Sequence, residues 1–327
     1  MPSPLAPIPA FLDADRPNVP DLVIPHGVIP FSLPDRPVRG RLVRLGPLAD
    51  ALLTRHDLHP AVTRLLGQAM ALAAALASAL KFKGSFSLQA KGDGPLTMLL
   101  ADCTDTGALR GHARADPERL SALLAENPAP SAAALLGQGY LAFTVDPGPD
   151  SERHQGIVSI EGPELADMAL HYFATSEQLR CAIHLACDRT ADGWRAGALI
   201  LERVAGEGGT DPDGDEAMFE EAWRTAEILA ATITPAELLD DALPPDLLLY
   251  RLFQDAGGED DGVSVNLPRA LAYGCRCSRQ RLSGILEGFG AQDLDHMAVG
   301  GDIVMTCEFC NLDFRFPRGE VHGQEPG

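Results

Sequence analysis

The chain has 327 residues, 46% of them hydrophobic, and a formal net charge of −20. That hydrophobic share is enough for a folded core, so global disorder is not expected. A duplex and a membrane surface are themselves negative, so neither is expected as a partner.

The opening stretch, "MPSPLAPIPAFLDADRPNVPDLVIPHGVIP", has no basic segment leading into an uninterrupted apolar run. No secretory leader is expected, and the reading is cytoplasmic. Its prolines forbid a regular helix, and residues 1–20 read as a proline-rich disordered arm. From 21 to 205 the patterns predict a folded core. "VRGRLVRL" (38–45) reads as a strand and 48–55 as a short helix broken at His59-Pro60. Next comes the longest apolar stretch, "AVTRLLGQAMALAAALASAL" (61–80). It approaches the length of a membrane span. Arg64, Gln68, Ala71 or Ala75, and Ser78 recur at helical spacing, however, and predict a helix buried in a globular core.

"SFSLQA", "PLTMLLAD" and "ALRGHAR" form a meander whose turns, "KGDG" and "TDTG", supply the glycines and aspartates that hairpins need. "PERLSALLA" is helical, with Pro117 in its first turn. Strands "GYLAFTV" and "QGIVSI", a helix at "GPELADMALHYFATS", and a hairpin of "CAIHLAC" with "AGALILERV" follow. Strands and helices mix without regular alternation, so the class is α+β.

The composition then changes. Residues 206–262 hold 16 Asp plus Glu against two Arg, a net of −14. Within this linker, Met218, Phe219, Ala222, Trp223, Ala226, Leu229 and Ile233 share one helical face, with acids opposite. Thr234-Pro235-Ala236-Glu237 is a capping-box pattern that starts a second helix, and "DLLLYRLFQ" makes a third. Two readings stay open on composition: a docked helical linker with a solvated acidic side, or a marginal segment poised to unfold.

Residues 263–318 read as a small C-terminal unit and 319–327 as a tail. The unit has a helix capped by Ser278, with Leu282, Ile285, Leu286 and Phe289 expected inward, and a hairpin over "DIVMTCEFCNLDFRF". So small a core usually needs a staple. Four of the chain's seven cysteines lie here, as Cys275-x-Cys277 and Cys307-x-x-Cys310. In a reducing compartment this spacing points to one Zn²⁺ held by four thiolates at about 2.3 Å. Four protein ligands leave no open position, which argues against a catalytic metal and, with no nucleophile arrangement visible, against an enzyme. His296 lies between the pairs and reads as a surface residue. Cys103, Cys181 and Cys187 read as small core residues.

"CRCSRQRL" followed by "VMTCEFCNLDFRF" resembles the C-terminal redox switch of the 33 kDa chaperonin family, the redox-regulated heat-shock holdases of bacteria. "RGRLVRL", "LLGQAMALAAALASALKFKGSFSLQAKGDGPL", "LLGQGYLAFTVD", "HQGIVSIEG" and "YFATSEQL" extend the resemblance over about residues 20–318. His154, the longer arm and "DFRF" depart from the family's usual pattern, and none of them touches the four cysteines. The resemblance implies an ATP-independent chaperone, inactive when reduced and zinc-loaded. It further implies that oxidation pairs Cys275 with Cys277 and Cys307 with Cys310, releases zinc and opens the linker. Unfolding proteins are the implied partners, with a homodimer as the active form. Met218, Phe219, Trp223, Leu229 and Ile233 are the candidate client-binding face. The alternative, a zinc-ribbon nucleic-acid binder, wants a basic face, and residues 263–327 hold six Arg against eight Asp plus Glu. A Cys-x-x-Cys oxidoreductase wants its motif at a helix N-terminus rather than a hairpin tip.

Overall fold

In this computed structural model the described residues are 20–321, apart from 35, 81–82, 149–151, 205–211, 255 and 257–261, with the side chains of 212–215 also outside the description. The arm up to residue 19, the start of the acidic linker and the tail beyond 321 therefore lie outside the described residues. Strands β1 (Val23–Leu33) and β2 (Val38–Arg44) lead into helices α1 (Pro47–Leu53) and α2 (Pro60–Ala79). The expected meander is β3 (Ser85–Gly92), β4 (Leu96–Thr104) and β5 (Ala108–Ala115), followed by α3 (Pro117–Glu126) and α4 (Ala132–Leu136). β6 (Gly139–Asp146), β7 (His154–Ser159), α5 (Leu165–Tyr172) and the hairpin of β8 (Cys181–Thr190) with β9 (Gly193–Arg203) come next. The linker forms α6 (Pro212–Ala230), α7 (Pro235–Leu239) and α8 (Pro245–Phe253). The chain then runs through β10 (Ser264–Val265), β11 (Arg269–Tyr273), α9 (Arg279–Leu286), α10 (Ala291–Met297), β12 (Ala298–Val299), β13 (Asp302–Thr306) and β14 (Asp313–Pro317).

An eleven-stranded sheet carries the α+β architecture, in the order β7-β6-β3-β4-β5-β11-β1-β2-β9-β8, with β10 also paired to β1. Its pairings are antiparallel except that of β11 with β5. Among the described residues β11 is the strand that joins the two antiparallel halves. The sequence reading put 263 at the start of a separate C-terminal unit, yet β10 and β11 lie in the main sheet. The cause is apolar: Ala270, Leu271, Ala272 and Tyr273 are all buried, the pattern of a central strand covered on both faces. β1 is central too, despite its prolines. Pro25 falls where the β1–β11 register shifts between Ile24 and Val28, so its missing N–H breaks no ladder.

The sheet's two faces have different covers. On one lies α2, whose apolar window is 78% buried. Its Pro60 occupies the first helical position behind His59, whose Nδ1 accepts the Ala61 N–H at 3.2 Å. Leu66, Met70 and Ala74 of α2 belong to one core with Val28, Val43, Ala198 and Ile200. On the other face, Ile29, Phe31, Leu33, Val38, Leu42, Leu199 and Leu201 form a second core with Trp223, Ala226, Leu238, Leu249 and Phe253 of the linker. Strict alternation along β1, β2 and β9 sends neighbouring residues to opposite cores.

The linker's charge conflict is eased by pairing with the core. Arg180 reaches Glu220 at 2.6 Å, Arg195 reaches Asp241 at 2.5 Å, and Arg203 pairs with Glu216 and Glu220. Arg44 of β2 donates to the carbonyls of Leu238 at 3.1 Å, Glu237 at 2.6 Å and Leu243. The first two satisfy open carbonyls at the C-terminal end of α7, and the third lies in the turn before α8. Arg44→Met is expected to destabilise linker docking by about 1.5–3 kcal/mol, the range for hydrogen bonds to a charged group. Limited proteolysis of residues 235–245 in the reduced protein checks this, and unchanged cleavage rates would refute it.

A candidate metal centre and its covered sheet face

Among the described residues the small C-terminal core holds five buried ones, Leu286, Leu294, Ile303, Phe316 and Val321. Of the four residues expected inward in its first helix region, Leu286 is fully buried and Leu282 packs partly against this core. Ile285 and Phe289 are exposed instead, because so small a core has no surface left to cover them.

Both cysteine pairs converge. Cys275 and Cys277 follow directly on β11, and Cys307 and Cys310 form the tip between β13 and β14. The four sulfurs lie within 4.8 Å of one another and all four residues are buried. The separations are 3.2 Å for Cys275–Cys277, 3.4 Å for Cys277–Cys310 and 3.6 Å for Cys275–Cys307. A tetrahedral zinc with bonds of about 2.3 Å needs sulfurs roughly 3.8 Å apart, so the donor set fits that ion after a small expansion. The distances do not by themselves select a disulfide pairing, since contacts between the motifs are nearly as short as the one within Cys-x-Cys. His296 is exposed, with Nδ1 2.7 Å from the Gln292 carbonyl oxygen, and is no part of the cluster.

Local backbone geometry explains the convergence. Gly274 lies against β5, and a Cβ there would meet Ala108 C and Leu109 N at 2.4 Å, so only glycine lets the chain pass. At the other motif Asn311 turns with φ 53, donating its N–H to the Cys307 carbonyl at 2.8 Å. The Cys307 N–H bonds the Leu312 carbonyl at 3.0 Å. A backbone N–H from Cys310 reaches the Cys307 sulfur, and one from Cys277 reaches the Cys275 sulfur, each favouring a thiolate. Hydrogen bonding from the Cys277 thiol pulls Cys275 down to about 7. Cys307 is likewise held down by the Cys275, Cys277 and Cys310 thiols. Cys277 and Cys310 are pushed up, each chiefly by its hydrogen bond with Cys275, as expected when packed sulfurs share protons.

The other three cysteines behave differently. Cys103 and Cys187 are buried and Cys181 half-buried. Burial pushes Cys181 and Cys187 up to about 12 and Cys103 higher still, leaving all three inert as nucleophiles at neutral pH.

Contacts of the tip with the main sheet were not visible in the cysteine motifs. Arg110, His112 and Arg114 alternate along β5 and share one face, on which the tip sits. The Arg110 guanidinium stacks over Phe309 at 4.0 Å, His112 meets the same ring edge-on at 6.3 Å, and Arg114 pairs with Glu308. Asn311 Nδ2 donates to the Arg55 carbonyl at 2.9 Å, and Arg55 donates to that of Cys310 at 3.3 Å. The alternation in "ALRGHARA" was the available signal. What it faced was not.

The family model described as "Hsp33 protein" matches residues 27–317. The chain belongs to the Hsp33 family. The 33 kDa chaperonin of Caulobacter vibrioides is 39% identical over 90% of this chain and 95% of its own length. That of Ectopseudomonas mendocina is 34% identical over 89% of this chain and 92% of its own. In fold the chain matches the crystal structure of the Thermotoga maritima homologue of this family, with a TM-score of 0.73, 24% identity, and coverage of 90% of this chain and 96% of that one. Like these relatives, it is a heat-shock chaperone, and its four clustered cysteines suit zinc binding and redox regulation.

The linker face expected to meet clients is unevenly placed. Trp223 is 1% exposed, Leu229 and Ile233 pack partly against the second core, Phe219 is half-buried, and Met218 is 47% exposed. Under α7, His184 of β8 lines a cavity of about 330 Å³ with Gln68, Glu164, Asp167, Thr234 and Leu238. Its buried Nε2 has no hydrogen-bond partner among the described residues, and burial holds its pKa below 6.5. Neutral His184 therefore favours the docked state above about pH 6.5, and this contribution is lost as pH falls through the lower folded-state pKa. Linker cleavage in the reduced protein is expected to rise between pH 7 and pH 5, and less so in His184→Gln. Identical pH profiles for the two proteins would refute the assignment.

Proposed function

We propose that the protein is an ATP-independent holdase of the cytosol, silent when reduced and activated by oxidation, with unfolding proteins as clients and a homodimer as its working form. It acts on neither nucleic acid nor membrane, and performs no catalysis. The observation that carries this reading is positional: the four-cysteine centre begins two residues after β11, the strand that joins the halves of the sheet, and the linker precedes β10 and β11 directly.

Cys275, Cys277, Cys307 and Cys310 are the proposed ligands of one zinc ion. When bound, the ion holds four sulfurs deprotonated and cross-links the two ends of a unit with little core, a contribution on the order of 10 kcal/mol. The thiolate is the form that oxidants attack. Cys275 and Cys277 give two electrons to a peroxide, form one disulfide, and the peroxide leaves as water after taking up two protons. Cys307 and Cys310 repeat the step with a second equivalent. No thiolate donor then remains, and the Cys307–Cys310 tip loses its hold on Cys275 and on β11. With β10 and β11 loosened, α6, α7 and α8 lose their anchor at the C-terminal side. Undocking would uncover Phe31, Val38, Leu42, Leu199 and Leu201 on the sheet together with Trp223, Leu229, Ile233, Phe219 and Met218 on the linker. A contiguous apolar surface of this kind binds unfolded chains without nucleotide.

The test compares reduced and peroxide-treated protein for suppression of client aggregation during thermal unfolding. The oxidised form alone is expected to suppress aggregation; equal suppression by both would remove the redox switch from the account.

A further inference from the structure

One residue inside each cysteine motif reaches the same point on the main sheet. Arg276, between Cys275 and Cys277, ion-pairs with Asp102 of β4. Phe309, between Cys307 and Cys310, lies beneath the Arg110 guanidinium at 4.0 Å. Arg110 in turn donates its Nε–H to Asp102 Oδ1 at 3.1 Å, the same oxygen that Arg276 meets. Asp102 is 6% exposed, so its charge is poorly screened, and a carboxylate so buried must be paired. The Nε of Arg276 is also buried and has no partner among the described residues, and its Nη2 is fixed on Asp102.

We infer that Asp102, through Arg276 and Arg110, is a positioning residue of the switch: it clamps both cysteine motifs to the sheet and sets how readily the centre gives up its metal. The inference rests on the zinc reading of the four sulfurs. Zinc loss needs the two motifs to separate, and each is held by a residue between its own ligands, Arg276 by charge and Phe309 by stacking. Both holds end on one carboxylate, so opening either motif weakens the other. Neutralising Asp102 leaves two partly buried guanidiniums facing each other without a counter-charge. The clamp also places the sensing centre on β4 and β5, the half of the sheet that β11 ties to β1. A change at the sulfurs is thereby passed to both halves.

The experiment measures zinc transfer from the reduced full-length chain to a chromophoric chelator, without oxidant or client. Asp102→Asn is expected to lose zinc roughly tenfold faster than wild type, the scale of one hydrogen bond to a charged group. Asp102→Glu should recover most of the wild-type rate. In a double-mutant cycle, Asp102→Asn combined with Arg276→Gln should fall well short of the product of the two single effects, because the Arg276 hold is common to both. A residue that merely stabilised the core would lower the melting temperature and multiply with Arg276→Gln instead. If Asp102→Asn fails to fold, Arg110→Lys keeps a cation beside Asp102 but removes the planar stack on Phe309, and it too should speed zinc loss. A zinc-loaded wild type with unchanged rates in these variants, or multiplicative effects in the cycle, would overturn this inference alone. A wild type that holds no zinc would overturn it together with the reading beneath it.

Discussion

Replacing Cys307 by serine is expected to produce a chain that behaves as oxidised while fully reduced. The four sulfurs form one buried cluster, and Cys307 contacts Cys275 across 32 residues of chain at 3.6 Å. Removing one of four ligands should cost about a quarter of a binding free energy on the order of 10 kcal/mol, or roughly a hundredfold in affinity. The effect does not stop at the metal. The unit around it has a five-residue core and cannot hold its fold unaided. We expect zinc below one equivalent per chain after dialysis, cleavage in the linker without oxidant, and suppression of client aggregation by the reduced protein. Tight stoichiometric zinc in Cys307→Ser would show that the four sulfurs are not one site.

The second large effect is expected at Trp223. It is among the largest fully buried side chains and packs in the second core between linker and sheet, with the Arg180 guanidinium 5.7 Å from its ring. Trp223→Ala should cost about 3–5 kcal/mol, the range for truncating a buried aromatic. The docked linker has few other anchors of that size, and part of its acidity depends on Arg180 and Arg203 remaining opposite Glu220. The loss should therefore open α6 to α8 locally, leaving the α2 side of the sheet folded. Trypsin should cut at Arg224 in the reduced variant, and a hydrophobic dye should bind where it does not bind wild type. A lower global melting temperature with neither change would mean that linker and core unfold as one unit.

Much of this molecule was legible in the sequence because its strands alternate cleanly and its turns carry glycine and aspartate. Helix α2 was readable as a core helix because Arg64 and Gln68 interrupt its apolar surface, and the four cysteines were readable by spacing alone. Three features were not. Residues 264–273 looked like the start of a separate unit because they are contiguous with it, whereas β11 pairs with β5 more than 150 residues earlier. That partnership depends on Gly274 allowing backbones to touch, which no local pattern announces. The contacts of Asp102 and Arg110 were hidden for the same reason: each is unremarkable in its strand and acquires its role from a loop distant in sequence. The linker was ambiguous because charge and amphipathicity pull in opposite directions, and the pairing of its acids with Arg180, Arg195 and Arg203, together with the bonds from Arg44 to its carbonyls, shows how docking is achieved.

The central claim is that the metal centre holds the linker closed. Its most direct test follows zinc appearance and linker cleavage together, in one sample of reduced wild-type protein, after addition of peroxide. The account predicts that cleavage between 212 and 253 begins only as zinc appears, with superimposable half-times across peroxide concentrations. Linker cleavage that precedes zinc release, or stays absent after all zinc is free, would contradict it.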